Sequence, residues 1–127
     1  MDNTIYANQH GLSNSNNRSS AVDQGRLASV CMADPYMREI VGTIDYQSPE
    51  GSKDGYGKPK IFNWKNSNKL LKKGFNGVKT GNTPAAGPCL CTSYQRDKLH
   101  VIVVVLDSKN MENRWDDSVK LTFWGIN

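Results

Sequence analysis

The sequence predicts an α+β fold in which a small antiparallel sheet packs against a C-terminal helix. Val101-Ile102-Val103-Val104-Val105-Leu106 is an unbroken apolar run, dominated by β-branched residues, and Gly87 to Gln95 is a second strand candidate. Between them, Arg96-Asp97-Lys98 is far too short for a crossover, so the two strands are antiparallel. Met111, Trp115, Val119 and Phe123 then recur every four residues, the face of an amphipathic helix over Met111 to Trp124. The 127 residues make one domain.

The remaining elements follow in chain order. Residues 1–18 are rich in Asn and Ser and read as loop. Ser20-Ala21-Val22-Asp23 has the form of a capping box with Asp in place of Glu, which starts a helix running to about Ala33. Leu27, Val30 and Cys31 give that helix a narrow apolar stripe, and Gly25 weakens it by about 1 kcal/mol relative to alanine. Asp34-Pro35 is an N-cap with proline at the first helical position, opening a short helix through Val41 that stops at Gly42. Residues 43–63 alternate weakly around a turn cluster from Ser48 to Gly57, the pattern of a hairpin or ragged two-stranded arm. Asn66 to Lys73 is a turn or a helical turn, and Phe75 to Lys79 is the first strand candidate of the sheet. Trp64, Trp115 and Trp124 are expected in the core or half-buried.

The Val101–Leu106 run does not alternate, so it needs cover on both faces of its sheet. Residues 111–124 cover one face. The helix from Ser20 is too narrow-striped to be an obvious cover for the other, and each bare side chain forgoes about 1.5–3 kcal/mol. On this reading the chain is incomplete by itself.

Composition excludes several classes. No run approaches the roughly 18 apolar residues of a membrane-spanning helix. Asp2, Asn3 and Thr4 follow Met1 where an export leader has basic and then apolar residues, and three cysteines make no paired disulfide framework, so a reduced, intracellular setting is the expectation. The net charge of +4 is uneven: eight lysines and one acid lie between Gly51 and Thr80. No arginine run or aromatic interleaving accompanies them, so nucleic acid is not the expected partner and a site for a small anionic ligand is. Cys31, Cys89, Cys91, His10 and His100 lack the spacing of a zinc module, His10 reads as a loop-fixing hydrogen-bond partner, and no cofactor is implied.

Lys79-Thr80-Gly81 closes the first strand candidate. A lysine ammonium beside a threonine hydroxyl binds a carboxylate, and glycine lets an extended ligand lie along a strand edge. With its flanks, Gly77-Val78-Lys79-Thr80-Gly81-Asn82-Thr83-Pro84-Ala85-Ala86-Gly87, the segment resembles the corresponding strand and loop of serine-type D-Ala-D-Ala carboxypeptidases, the low-molecular-mass penicillin-binding proteins. Asn8-Gln9-His10-Gly11-Leu12 is similar to that family's Asn-x-His-Gly-Leu loop, and Ser19 to Ala28 to the helix after it. Asp34 to Val41 resembles the next short helix and Asn66-Ser67-Asn68-Lys69-Leu70-Leu71 the Asn-x-Asn-x-Leu-Leu stretch. Arg114, Asp117, Leu121 and Trp124-Gly125 match the C-terminal helix. The resemblance runs over nearly the whole chain, in order.

What the resemblance implies is a partial penicillin-binding, β-lactamase-like fold. Residues 1–42 would be a remnant of the helical subdomain and residues 43–127 the sheet with its C-terminal helix. The implied activity is removal of a terminal D-alanine from peptidoglycan stem peptides through an acyl-serine. Lys79 and Thr80 would hold the carboxylate of a D-Ala-D-Ala peptide or a β-lactam, Gly81 would allow its approach, and the Asn82 N–H would be an oxyanion donor. The family's nucleophile lies in Ser-x-x-Lys, and no serine here has lysine three places later. Its Ser-x-Asn element precedes the Asn-x-His-Gly-Leu loop, where this chain has seven residues and no serine. Pro88 stands where the family commonly has an aromatic residue, so that strand is expected to start later or lie at an edge, and Asp107 stands where glycine is common.

Three readings follow. The chain is part of such an enzyme, inactive alone, with the nucleophile in a preceding segment or on another chain that covers the open sheet. Alternatively it is a non-catalytic interaction subunit of a larger assembly, or a free-standing binder of D-Ala-type carboxylates.

Overall fold

The computed structural model describes residues 1–127. Helix α1 (Ala21–Ala33) and helix α2 (Pro35–Gly42) are followed by a two-stranded ribbon, β1 (Asp45–Gln47) with β2 (Asn63–Lys65). A 3₁₀ turn (Lys69–Lys73) leads into the sheet β3 (Gly77–Thr83), β4 (Gly87–Arg96) and β5 (Leu99–Val105), and α3 (Asn113–Ile126) closes the chain. The sheet is antiparallel in the order β3-β4-β5, so β4 is central and the outer edges of β3 and β5 are unpaired. No helix is long and apolar enough to cross a membrane.

The start of α1 departs from a full capping box. Ser20 Oγ accepts from the Asp23 N–H at 3.2 Å, but the Asp23 carboxylate does not return the bond. It instead accepts from the Thr4 hydroxyl at 2.8 Å and the Asn3 N–H at 2.9 Å, tethering the N-terminal segment. The Thr4 hydrogen bond, aided by the Asn3 N–H and the Arg26 charge, holds the Asp23 carboxyl below the ordinary carboxylate value against the opposing effect of burial.

The expected stripe of α1 is rotated. Leu27 and Val30 point outward, while Ala28 and Met32 are buried and Cys31 is half-buried. Small residues decide this: a Cβ on Gly25 would sit 3.9 Å from Val104 Cγ2, so the helix lies close on the sheet there. The expectation that one face of the valine-rich strand is bare is therefore corrected. Along β5, Ile102 and Val104 face α1, while Val101, Val103 and Val105 face α3. What β5 lacks is a neighbour on its outer edge.

α3 is rotated by about one residue as well. Its buried positions are Arg114, Trp115, Ser118 and Thr122, while Met111 precedes the helix and Phe123 is half-exposed. Ser118 and Thr122 can face the sheet because each hydroxyl donates to the carbonyl one turn back, at 2.7 and 2.8 Å. Leu70, Phe75, Leu90 and Trp115 form the core, with Tyr94 and Val119 packed against it. Of the three tryptophans only Trp115 is buried; Trp64 is 53% and Trp124 81% exposed, contrary to expectation.

β3 begins two residues later than expected and runs on to Thr83. Pro88 does not displace β4, which starts at Gly87. Its missing N–H is tolerated because β5 pairs only from Leu90 onward, and the Pro88 carbonyl accepts from the Ser108 N–H at 2.9 Å. Asp107 takes a left-handed conformation, φ 49°, consistent with glycine being common there.

Two glycines give opposite expectations. Gly25→Ala places its Cβ in ordinary contact and should stabilise the fold by about 0.4–1 kcal/mol. Gly77→Ala drives its Cβ to 2.9 Å from Val41 Cγ2 and should lower the midpoint of thermal unfolding. Because the Asp23 pKa is lowered on folding, its stabilisation is complete above the unfolded carboxylate value of 3.8 and is lost as pH falls through the folded one. Acid titration of the unfolding midpoint should show this component in the parent chain and lose it in Asp23→Asn.

Candidate functional site

Lys79, Thr80, Gly81 and Asn82 lie in β3, with Lys79 opposite Cys91 and Gly81 opposite Cys89 on β4. Alternation along the strand puts Lys79 and Gly81 on the α1 side of the sheet and Thr80 on the α3 side. Lys79 is exposed and its ammonium donates to the Thr80 carbonyl. The Thr80 hydroxyl is 2.7 Å from Ser67 Oγ. Asn82 is exposed near the end of the strand.

Gly81 has no steric reason to be glycine. A Cβ there would meet nothing closer than Cys89 Cβ at 3.8 Å, an ordinary contact, and its φ is not in the left-handed region. Its effect is to leave a stretch of backbone without a side chain on an open strand edge.

Three structures behind the strand set its position. The Asn66-Ser67-Asn68 segment forms a bracket. Asn66 Nδ2 donates to the carbonyls of Val41 (3.1 Å) and Thr43 (3.0 Å), and Asn66 Oδ1 accepts the Asn68 N–H at 2.9 Å. The buried Asn68 side chain caps the 3₁₀ turn by accepting from the Leu70 N–H and donates through Nδ2 to the Gly77 carbonyl at 2.9 Å. Thr92 Oγ1 reaches the same carbonyl from β4, also at 2.9 Å. Arg114 of α3 is the third support. It donates to the carbonyls of Gly81 (3.1 Å) and Cys89 (3.3 Å), with its guanidinium 4.5 Å from the Trp115 ring centroid. Only 6% exposed, it puts a permanent positive charge under the Lys79-Thr80-Gly81 segment.

Sequence reasoning named Arg114 only as part of the C-terminal helix and gave Ser67 no role. An arginine next to the first buried tryptophan of an amphipathic helix was the available signal. For Ser67 there was none, because its partner lies 13 residues away across a turn.

The remaining candidates are used elsewhere. His10 Nδ1 accepts the Leu12 N–H at 3.1 Å inside a loop that Asn8 also closes through the Gly11 N–H and the Leu12 carbonyl. His100 Nε2 is 2.7 Å from the buried Ser93 Oγ. No three His, Cys, Asp or Glu side chains come together as a metal site. Cys91 is the thiol across the strand pair from Lys79. Burial, and secondarily Cys31, push its pKa up to about 11. The thiol therefore stays protonated at neutral pH, so Cys91 is no ready nucleophile.

The D-alanyl-D-alanine carboxypeptidase family matches residues 1–110. A D-alanyl-D-alanine carboxypeptidase from a Streptomyces strain is 32% identical over 128 residues, covering 99% of this chain and 44% of that protein. The carboxypeptidase DacF of Bacillus subtilis is 29% identical over 116 residues, covering 90% of this chain and 28% of its own. Among solved structures, a Streptomyces DD-transpeptidase superposes with a TM-score of 0.88 at 32% identity, over 97% of this chain and 47% of that one. Penicillin-binding protein D2 of Listeria monocytogenes, in its cefotaxime-bound form, superposes at 0.78 with 26% identity, over 98% of this chain and 48% of that one. The chain thus spans less than half the length of the relatives it matches. With the family matching 110 of 127 residues and the α+β architecture shared in three dimensions, this chain belongs to the D-alanyl-D-alanine carboxypeptidase family.

Proposed function

We propose that this chain is the carboxylate-clamp part of a D-Ala-D-Ala peptidase site, working with a Ser-x-x-Lys segment that none of its 127 residues supplies. The observation that carries this reading is Gly81, a glycine that packing does not require, on an unpaired strand edge beside Lys79 and Thr80. In this assignment residues 1–42 belong to the helical side of the catalytic domain and residues 43–127 to its sheet side.

The Lys79 ammonium and the Thr80 hydroxyl, reaching round the unpaired β3 edge from its two faces, hold the terminal carboxylate of a D-Ala-D-Ala peptide, or the carboxylate of a β-lactam. A charge-assisted hydrogen bond of this kind contributes about 1.5–3 kcal/mol. The ligand backbone then lies along the β3 edge over Gly81, and the Asn82 N–H faces the scissile carbonyl oxygen. The serine of the complementing segment attacks that carbonyl while its lysine takes the hydroxyl proton. The peptide bond breaks, D-alanine leaves with the proton, and water hydrolyses the acyl-serine. Arg114 and the Asn66-Ser67-Asn68 bracket act through the strand: they position it and touch no reacting atom.

The unpaired β5 edge favours a second reading, a non-catalytic module that docks through that edge. It shares the first reading's need for a partner and lacks its chemistry.

Incubated alone with a fluorescent penicillin, the chain should give no covalently labelled band at 14.1 kDa on a denaturing gel. A labelled band there refutes the proposal. Co-expressed with the part of the Streptomyces relative that it does not cover, it should restore labelling of that segment's serine. Lys79→Ala should lower that labelling about ten- to a hundredfold. A stable complex without label supports the docking module instead, and labelling indifferent to Lys79→Ala contradicts the clamp.

A further inference from the structure

Ser67 differs from the two asparagines that flank it. Asn66 and Asn68 direct their side chains at backbone: Asn66 Nδ2 at the carbonyls of Val41 and Thr43, Asn68 at the Leu70 N–H and the Gly77 carbonyl. These bonds pin the residue between them on both sides. Its side chain alone reaches a group of the proposed clamp, with Ser67 Oγ 2.7 Å from Thr80 Oγ1. Neither hydroxyl makes another hydrogen bond within the chain.

Proton counting gives this pair a direction. A hydroxyl has one proton to donate and two lone pairs, whereas an ionised carboxylate only accepts. A Thr80 hydroxyl that donates to a carboxylate has no proton left for Ser67. The contact between them must then run from the Ser67 O–H to Thr80 Oγ1. The order is Ser67 to Thr80 to carboxylate, and a donor behind Thr80 polarises the O–H that it presents. The same contact selects a rotamer. Thr80 carries a methyl group and a hydroxyl on one Cβ, and rotation about χ1 changes which of them occupies a given position. The bond to Ser67 favours the well that holds the hydroxyl beside the bracket. We propose that Ser67 is a positioning residue for Thr80, fixing the rotamer and the direction of donation with which that hydroxyl meets a ligand carboxylate. For its ligand the proposal rests on the carboxylate-clamp reading; for the rotamer it rests on the Ser67–Thr80 contact.

The test uses the full chain and begins without ligand. Three-bond couplings of Thr80 should report a single χ1 rotamer in the parent and in Ser67→Thr, and an averaged one in Ser67→Ala. The chain is then titrated with N-acetyl-D-alanyl-D-alanine and followed through the amide shifts of Val78 to Asn82. Ser67→Ala should weaken binding about three- to tenfold at an unchanged midpoint of thermal unfolding, and Ser67→Thr should restore it. In a Thr80→Val background, where no hydroxyl remains to be positioned, Ser67→Ala should have no further effect. A saturable titration that Lys79→Ala abolishes and Ser67→Ala leaves unchanged overturns the positioning role while the clamp stands. An undiminished loss from Ser67→Ala in the Thr80→Val background also overturns it, because Ser67 then touches the ligand itself. An averaged Thr80 rotamer in the parent overturns it without any ligand. No saturable shift in the parent, or one indifferent to Lys79→Ala, overturns the clamp reading and this proposal with it.

Discussion

The position of β3 rests on one buried carbonyl. The oxygen of Gly77 accepts from Asn68 Nδ2 and from Thr92 Oγ1, so the 3₁₀ turn before the strand and the central strand beside it meet at a single atom. Removing either donor leaves that oxygen a single partner, and removing Asn68 also strips the Leu70 N–H of its acceptor, at a cost of about 1–3 kcal/mol. A side chain at Gly77 would also force its neighbours to shift, because a Cβ there comes 2.9 Å from Val41 Cγ2. Lys79, Thr80 and Gly81, the residues of the proposed clamp two to four positions later, inherit their placement from this joint. Arg114 fixes the far end by holding the Gly81 and Cys89 carbonyls.

The sheet is covered by closeness rather than by greasy stripes. Gly25 and Ala28 bring α1 onto one face, and Ser118, Thr122 and Gly125 bring α3 onto the other. Both helices are therefore rotated from where hydropathy alone places them. A stripe of Leu, Val and Phe is visible to a periodicity argument, whereas a stripe of Gly, Ala, Ser and Thr is not. A hydroxyl that donates to the carbonyl one turn back is buried with its polar group satisfied, which a hydropathy scale does not record. The elements themselves were legible, because Ser20, the Asp34-Pro35 pair, the turn at Arg96-Asp97-Lys98 and the valine run each state a backbone geometry directly. Two elements were displaced by two residues: α3, expected from Met111 and found from Asn113, and β3, since nothing in Gly81-Asn82-Thr83 distinguishes a strand from a turn until its partner on β4 is known.

The site was legible in a different way. Lys79-Thr80-Gly81 and the Asn-x-Asn stretch were readable as motifs, and the family they point to is the one the chain belongs to. Their physical connection was not readable. Asn66 and Asn68 work through carbonyls at Val41, Thr43 and Gly77, and Ser67 through the hydroxyl of Thr80. Such long-range pairings leave no periodic trace. Arg114 was hidden for the same reason, since its partners lie 33 and 25 residues away.

The buried Asn68–Gly77 joint fixes β3, and with it the proposed clamp. Amide hydrogen exchange in Asn68→Ala tests this most directly, read strand by strand against the parent chain. The account predicts that protection falls across Val78 to Asn82 while the β4–β5 ladder keeps its own. Unchanged protection of β3 in a folded Asn68→Ala chain would contradict it.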